Sequence, residues 1–147
     1  MLFRIIANSP RGKYHMVYLD ETTFQIRYNQ EKVWSNKGQQ VVVEAPKRFQ
    51  KNQSVIAALD VNGVKLHMLL DGYLEGTQYL EFLQRIKDHY KGRRNLVIFY
   101  DGLSVHKRPD AFHFIRDQGW TGVLNCAYDS PANPIEYVFS QIKLRFR

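Results

Sequence analysis

The sequence predicts an α/β domain built on a mixed sheet, antiparallel in its first part and parallel in its second, with helices on its faces. Three observations carry this. The first half alternates apolar and polar residues around a hairpin dipeptide. The second half interleaves helical stripes with short apolar runs, and one of those runs, Leu96 to Tyr100 (LVIFY), is apolar on both faces. Hairpins need only short turns, whereas parallel neighbours need a crossover long enough to hold a helix, so the order of signals sets the order of pairing types.

The first strand falls in MVYLDETTFQIRY (16–28). Val17 to Leu19 are apolar, and Phe24, Ile26 and Tyr28 alternate with polar residues, so a strand with a bend after Asp20 is expected. A second strand, Gln40 to Glu44, follows a turn around Asn36 to Gly38. Next, SVIAALDVNGVKLHMLLDG (54–72) sets Asn62-Gly63 between two apolar runs, the signal of a type I′ hairpin whose two central residues need positive φ. From Thr77 the period lengthens. Tyr79, Phe82, Leu83, Ile86 and Tyr90 share a helical face, with Thr77 as N-cap and Gly92 at the C-terminal end. LVIFY follows as a central strand covered on both sides. Pro109 opens a helix that runs to about Asp117 and stops near Gly119. A short strand, Gly122 to Cys126, leads to a last helix entered through Asn133 as cap and Pro134 as first residue, with Ile135, Val138, Phe139 and Ile142 on its apolar stripe. The order β-β-β-β-α-β-α-β-α describes an α/β layered domain of RNase H-like type.

A length of 147 residues suits one folded domain, residues 1–147, with no repeat or linker to mark a boundary. A hydrophobic share of 44% excludes disorder, and no apolar run approaches the roughly 18 residues of a membrane span. The N-terminal stretch lacks the pattern of a secretory signal, so an intracellular protein is the expectation: cytoplasm or nucleoid in a bacterium, nucleus in a eukaryote. Cys126 is the sole cysteine, which excludes an intrachain disulfide and a CxxC zinc site. A formal charge of +7 favours a polyanionic partner such as nucleic acid. The cations cluster at Lys47, Arg48 and Lys51, at Arg93 and Arg94, and at Lys143, Arg145 and Arg147, three groups that would converge if they shared a face.

Asp101 directly follows the buried LVIFY run. In a parallel sheet, ligands bind outside the carboxyl ends of the strands, so a carboxylate there sits on the rim where chemistry is done. Asp20 holds the same place after Val17-Tyr18-Leu19, and Glu136 lies one turn into the last helix. Three carboxylates brought to one rim suit a hard divalent cation such as Mg²⁺. Each has a plainer reading. Asp101-Gly102 is a turn pair, Asp60 and Asp71 end strand-like runs in the same way, and Glu136 at the third helical position completes a capping box with Asn133. His106, five residues after Asp101, is a ligand, a base or a polar surface residue. His15, His67, His89 and His113 show no metal-ligand spacing and read as structural.

Four segments together decide among these readings: YLDETTF (18–24), VWSNKGQ (33–39), VIFYDGLSVHK (97–107) and DSPANPIEYVFSQIK (129–143). They resemble the catalytic domain of DDE transposases, in particular the mariner-like and related bacterial insertion-sequence superfamily, over nearly the whole chain. The 34 residues between Asp101 and Glu136 match the family's separation of its second and third acids. The resemblance implies that Asp20, Asp101 and Glu136 are the catalytic triad and hold two Mg²⁺ or Mn²⁺ ions, with Asp101 bridging and Asp20 and Glu136 each completing one site. One ion would activate water and later a DNA 3′-hydroxyl, and the other would stabilise the leaving oxygen. Asp60 and Asp71 then revert to turns, while Trp34 and Gly38 match packing and turn residues.

The resemblance further implies metal-dependent DNA cleavage and strand transfer on transposon ends, a TA-type target, and a homodimer on paired ends, without a membrane. Lys47, Arg48, Lys51, His106, Lys107 and Lys143 are the candidate contacts to nucleic acid. Two departures stand out: Gly102 where the family usually has Asn, and one residue fewer between the prolines of SPANPIE. The family's N-terminal helix-turn-helix DNA-binding region is expected to be absent, because the sequence begins almost at the first catalytic strand. Two alternatives remain: a decayed or domesticated DNA-binding module without catalysis, and an RNase H-like nuclease acting on another nucleic acid.

Overall fold

The computed structural model describes residues 13–24, 34–39, 52–125 and 133–145. Their strands form one five-stranded sheet: β1 (His15–Phe24), β2 (Gln53–Asp60), β3 (Gly63–Asp71), β4 (Leu96–Tyr100) and β5 (Thr121–Leu124). The helices are α1 (Gly76–His89), α2 (Pro109–Asp117) and α3 (Pro134–Arg145). In space the strands run β3-β2-β1-β4-β5. The β1-β2 and β2-β3 pairs are antiparallel, and the β1-β4 and β4-β5 pairs are parallel. This is the expected mixed sheet. The predicted strand over Gln40 to Glu44 and the end of the predicted fifth strand at Cys126 lie outside the described residues.

Alternation along the strands sorts the core into two layers. Val17, Leu19, Ile56, Ala58, Leu96, Ile98 and Tyr100 meet Tyr79, Phe82, Leu83 and Ile86 of α1 and Ala111 and Ile115 of α2 on one face. On the other face, Ala57 and Leu59 pack against Ile135 and Phe139 of α3, and Val97, Phe99 and Val123 form an adjoining cluster, with Tyr18 touching both groups. Every residue of β4 is buried, because α1 and α2 cover one of its faces and the second layer the other.

Four local details depart from expectation. β1 is continuous through Asp20 because it changes partner rather than direction, pairing β4 over His15 to Tyr18 and β2 from Tyr18 to Phe24. The hairpin tip is Val61-Asn62, not Asn62-Gly63: Asp60 pairs with Gly63, whose φ of +103° closes the turn. The reason is local, since the Asp60 carboxylate accepts the Asn62 N–H at 2.7 Å and so closes the turn one residue earlier. The N-cap of α1 is Glu75 rather than Thr77, with the Glu75 N–H donating to Gln78 Oε1 at 2.9 Å. Trp34, expected to pack, is 99% exposed, whereas Gly38 does occupy a turn, with φ +91° and the Gln39 N–H donating to the Asn36 carbonyl.

Asp60 does more than form its turn. Its buried carboxylate also accepts the Tyr90 hydroxyl at 3.1 Å, and His15 Nε2 lies 3.1 Å from it, tying the hairpin to the start of β1 and the end of α1. Burial alone would raise its pKa, but hydrogen bonds from Asn62, Tyr90 and His15 and the charge of Lys65 hold it below the usual value. His15 is thus structural, as expected. No helix among the described residues is long and apolar enough to cross a membrane. Replacing Asp60 by alanine strands three donors at a buried point, so the expected loss is on the order of 2–3 kcal/mol in denaturant unfolding. A loss under about 0.5 kcal/mol would show that the network contributes nothing net.

Candidate active site

The site begins with a register. Val17 lies opposite Ile98 and Tyr18 opposite Phe99 in the parallel β1-β4 pair. Two residues beyond that pairing, Asp20 and Asp101 leave the same end of the two parallel strands, and the charge of Asp101 is felt at Asp20. Asp20 shares the face of Tyr18, the side covered by α3. There Asn133 does two jobs. Its Oδ1 accepts the Ile135 N–H at 3.4 Å as the cap of α3, and its Nδ2 donates to the Leu19 carbonyl and to Asp20 Oδ2, each at 3.4 Å. Capping thereby fastens the start of α3 to β1 beside Asp20 and brings Glu136, in the first turn, to the same rim.

The electrostatics report this gathering. The pKa of Asp20 is pushed up to about 7, first by burial, then by the charge of Glu136, with Asp101 and Glu21 adding to the rise and the Glu21 N–H opposing it. Asp101 goes the other way. Burial would raise it, but hydrogen bonds from His106 and the Leu103 N–H, together with the charges of His106 and Lys107, hold it below the ordinary carboxylate value. Two aspartates at one rim are therefore pushed apart in acidity, a pattern that marks functional carboxylate clusters.

His106 is the surprise of the loop. The segment after β4 coils tightly: the Leu103 N–H returns to Asp101 Oδ1 at 3.1 Å, and the His106 and Lys107 N–H groups return to the carbonyls of Leu103 and Ser104. This folds the His106 ring back onto the acid five residues before it. His106 is 0% exposed, with Nδ1 at 2.6 Å from Asp101 Oδ1 and Nε2 at 3.2 Å from Glu21 Oε2. Burial disfavours its charged form, but the two carboxylates outweigh that and push its pKa up to about 9. The expectation that His106 contacts nucleic acid is corrected, because a ring with no exposed surface offers nothing to a phosphate. Glu21 escapes sequence reading altogether. Its one signal is the neighbouring Asp20: consecutive strand residues point to opposite faces, so one carboxylate goes to the α3 side and the next to the α1 side.

Lys107 and Lys143 are exposed. Lys107 approaches Asp101 and Gly102, and Lys143 lies two helical turns after Glu136 on the same face of α3. Lys47, Arg48 and Lys51 lie outside the described residues. Arg93 and Arg94 precede β4 whereas Asp101 follows it, so this cluster sits at the opposite end of a strand about 16 Å long and does not converge on the carboxylates.

Among the described residues, no three His, Cys, Asp or Glu side chains stand close enough to enclose a metal ion. The chemistry of the rim is nonetheless compatible with a cation: Asp20 carries a repulsion from Glu136 and Asp101 that a cation would discharge, and both hydrogen bonds to Asp101 among the described residues use Oδ1. All the donors are carboxylate oxygens, the set that hard cations such as Mg²⁺ and Mn²⁺ take.

The chain belongs to the DDE superfamily endonuclease family, which matches residues 15–147. Its sheet and helices are those of the RNase H-like transposase catalytic domains. Similar solved structures include a pre-cleavage Mos1 transpososome (TM-score 0.73, 18% identity, 98% of this chain and 45% of that one). A Mos1 mariner paired end complex with Mn is similar at TM-score 0.72 and 19% identity, again over 98% of this chain and 45% of that one. The Mos1 transposase catalytic domain with Raltegravir and Mn matches at TM-score 0.66 and 17% identity, covering 98% of this chain and 65% of that one. The chain thus spans about half the length of the transposase chains in the two larger complexes. No curated protein matches it by sequence.

Two outcomes follow for the site. Asp20 has a folded pKa near 7 and an unfolded value near 4, so the folded state holds the extra proton between them, and stability falls as pH rises through that window. Asp20→Asn should therefore stabilise the metal-free protein at pH 8, by on the order of 2 kcal/mol, and leave it unchanged at pH 3, as read by thermal melting. Gly102 has no positive φ, and a Cβ there would meet only the tip of Lys107, at 3.4 Å. Gly102→Asn, which restores the residue usual in the family, should fold with stability within about 0.5 kcal/mol of the parent. A larger loss would mean that the loop requires glycine.

Proposed function

We propose that this chain is the catalytic domain of a transposase, cutting DNA and joining strands with divalent metal at Asp20, Asp101 and Glu136. The observation that supports the reading best is that, in a DDE superfamily endonuclease domain, the charges of Glu136 and Asp101 both act on the buried Asp20 carboxylate. Two bound Mg²⁺ or Mn²⁺ ions would supply an activated water or 3′-hydroxyl and a stabilised leaving oxygen in an in-line displacement at phosphorus. Asp101 would be the acid shared between them, since its Oδ2 is outside its hydrogen bonds among the described residues. Asp20 and Glu136 each complete one side. Exposed Lys107 and Lys143, flanking Asp101 and Glu136, would hold the phosphodiester backbone against the rim, and such contacts weaken as salt rises.

The partners that follow are DNA ends and a second copy of the chain holding the other end. A TA-type target suits the ease with which that step deforms. The compartment is the one that holds the DNA, nucleoid or nucleus. The two similar transposase assemblies are named as a transpososome and a paired end complex, which supports this direction.

Calorimetric titration of Mn²⁺ tests the reading. The parent should bind, and Asp101→Asn and Glu136→Gln should each weaken binding at least tenfold. Because Asp20 must lose a proton held with a pKa near 7, the affinity of the parent should also rise between pH 6 and pH 8. Equal, weak binding by all three proteins would leave the acids as a turn residue and a helix cap, and the nuclease reading would fall.

A further inference from the structure

The metal chemistry uses Asp101 but leaves unexplained why the chain buries an imidazole between it and a second carboxylate. His106 is fully enclosed, its ring 4.7 Å from that of Tyr79 and 6.0 Å from that of Tyr100 by centroid. Nδ1 engages Asp101 Oδ1 at 2.6 Å. Nε2 and Glu21 Oε2 lie 3.2 Å apart as an ion pair, both buried, and neither atom makes a hydrogen bond of good geometry among the described residues. Burying an imidazole between two carboxylates at the end of a sheet is a poor way to gain stability, since an apolar side chain of similar size generally does as well. Asp101, for its part, follows the last residue of β4, where no strand pairing constrains its side chain.

We propose that His106 is a positioning residue for the metal site, anchored by Glu21, which fixes the carboxylate of Asp101 so that Oδ2 is the oxygen presented to the cation. The proposal rests on the metal-site reading above and adds two residues to it. The geometry is that of a ligand held by a hydrogen-bonded partner that is itself held, an arrangement that orients metal ligands and tunes their affinity. Asp101 Oδ1 is taken twice, by the Leu103 N–H and by His106, so rotation of the carboxylate breaks two hydrogen bonds. Glu21 prevents the ring from following. It also stands on β1 next to Asp20, so one strand supplies a candidate ligand on one face and the anchor of the opposite ligand on the other. Movement of β1 relative to β4 would disturb both ligands together. The contact with Tyr79 extends the anchor to α1, whose apolar face is locked into the core.

Mn²⁺ affinity of the 147-residue chain, measured by calorimetry beside thermal melting, tests this. His106→Ala should weaken Mn²⁺ binding about tenfold or more, as removal of such outer partners does, and His106→Asn, whose amide can donate from near the place of Nδ1, should recover part of the loss. Glu21→Gln should weaken binding severalfold. The decisive comparison is made on an Asp101→Asn background, where His106→Ala and Glu21→Gln should have no further effect if both act through Asp101. A packing role, or a general loss of negative charge, would persist there. If His106→Ala does not fold, Glu21→Gln alone and in the Asp101→Asn pair carries the same comparison. A folded His106→Ala protein that binds within twofold of the parent overturns the proposal, as does a loss equally large without the Asp101 carboxylate. Binding by the parent with indifferent variants sinks only the positioning role. No binding by the parent sinks the metal site and this role together.

Discussion

The parallel pairing of β1 with β4 is the constraint on which the rest depends. Because Tyr18 faces Phe99, Asp20 and Asp101 leave the same end of that pairing although 80 residues lie between them. The pairing is held by burial on both sides of β4. Leu96, Ile98 and Tyr100 anchor in the layer of α1 and α2, and Val97 and Phe99 in the opposite layer with Tyr18. A slip of one residue would turn all five side chains to the wrong face and move Asp101 away from Asp20, so core and site are secured by the same contacts.

Around that register the molecule manages charge in two directions. On the α3 side, Asp20 is buried near Glu136 with, among the described residues, a side-chain amide and a backbone N–H as its hydrogen-bond donors, and its acidity is suppressed. On the α1 side, Asp101 and Glu21 enclose a protonated imidazole, and Asp101 stays ionised. The rim therefore has one acid poised to release a proton near neutrality beside one that is already charged. A divalent cation would find half of its charge partner ready and obtain the rest by displacing a proton, which couples metal binding to pH.

The exposed cations divide by position. Lys107 and Lys143 lie at the carboxylate rim, while Arg93 and Arg94 lie at the far end of β4. A net charge of +7 thus describes the whole surface and says little about where DNA would lie. What positions the candidate acids is the direction of two parallel strands and the cap of one helix.

The sequence by itself determined most of the described elements and nominated the three acids. The helical face of Tyr79, Phe82, Leu83 and Ile86, the all-apolar β4 and the Pro134 helix start are set by local periodicity and capping, and the four motif segments singled out Asp20, Asp101 and Glu136 over Asp60 and Asp71. Local signals failed where two conformations fit the same residues, as at Asn62-Gly63, which shifted by one position once Asp60 captured the Asn62 N–H. Only the tertiary structure decided that Asn133 caps α3 and holds Asp20 at once, that Arg93 and Arg94 face away from the rim, and that His106 is buried between Asp101 and Glu21. The reason is physical. Periodicity reports which face of an element avoids water, but the ionisation and orientation of a polar side chain depend on neighbours from distant parts of the chain, and those exist only once the strands have paired.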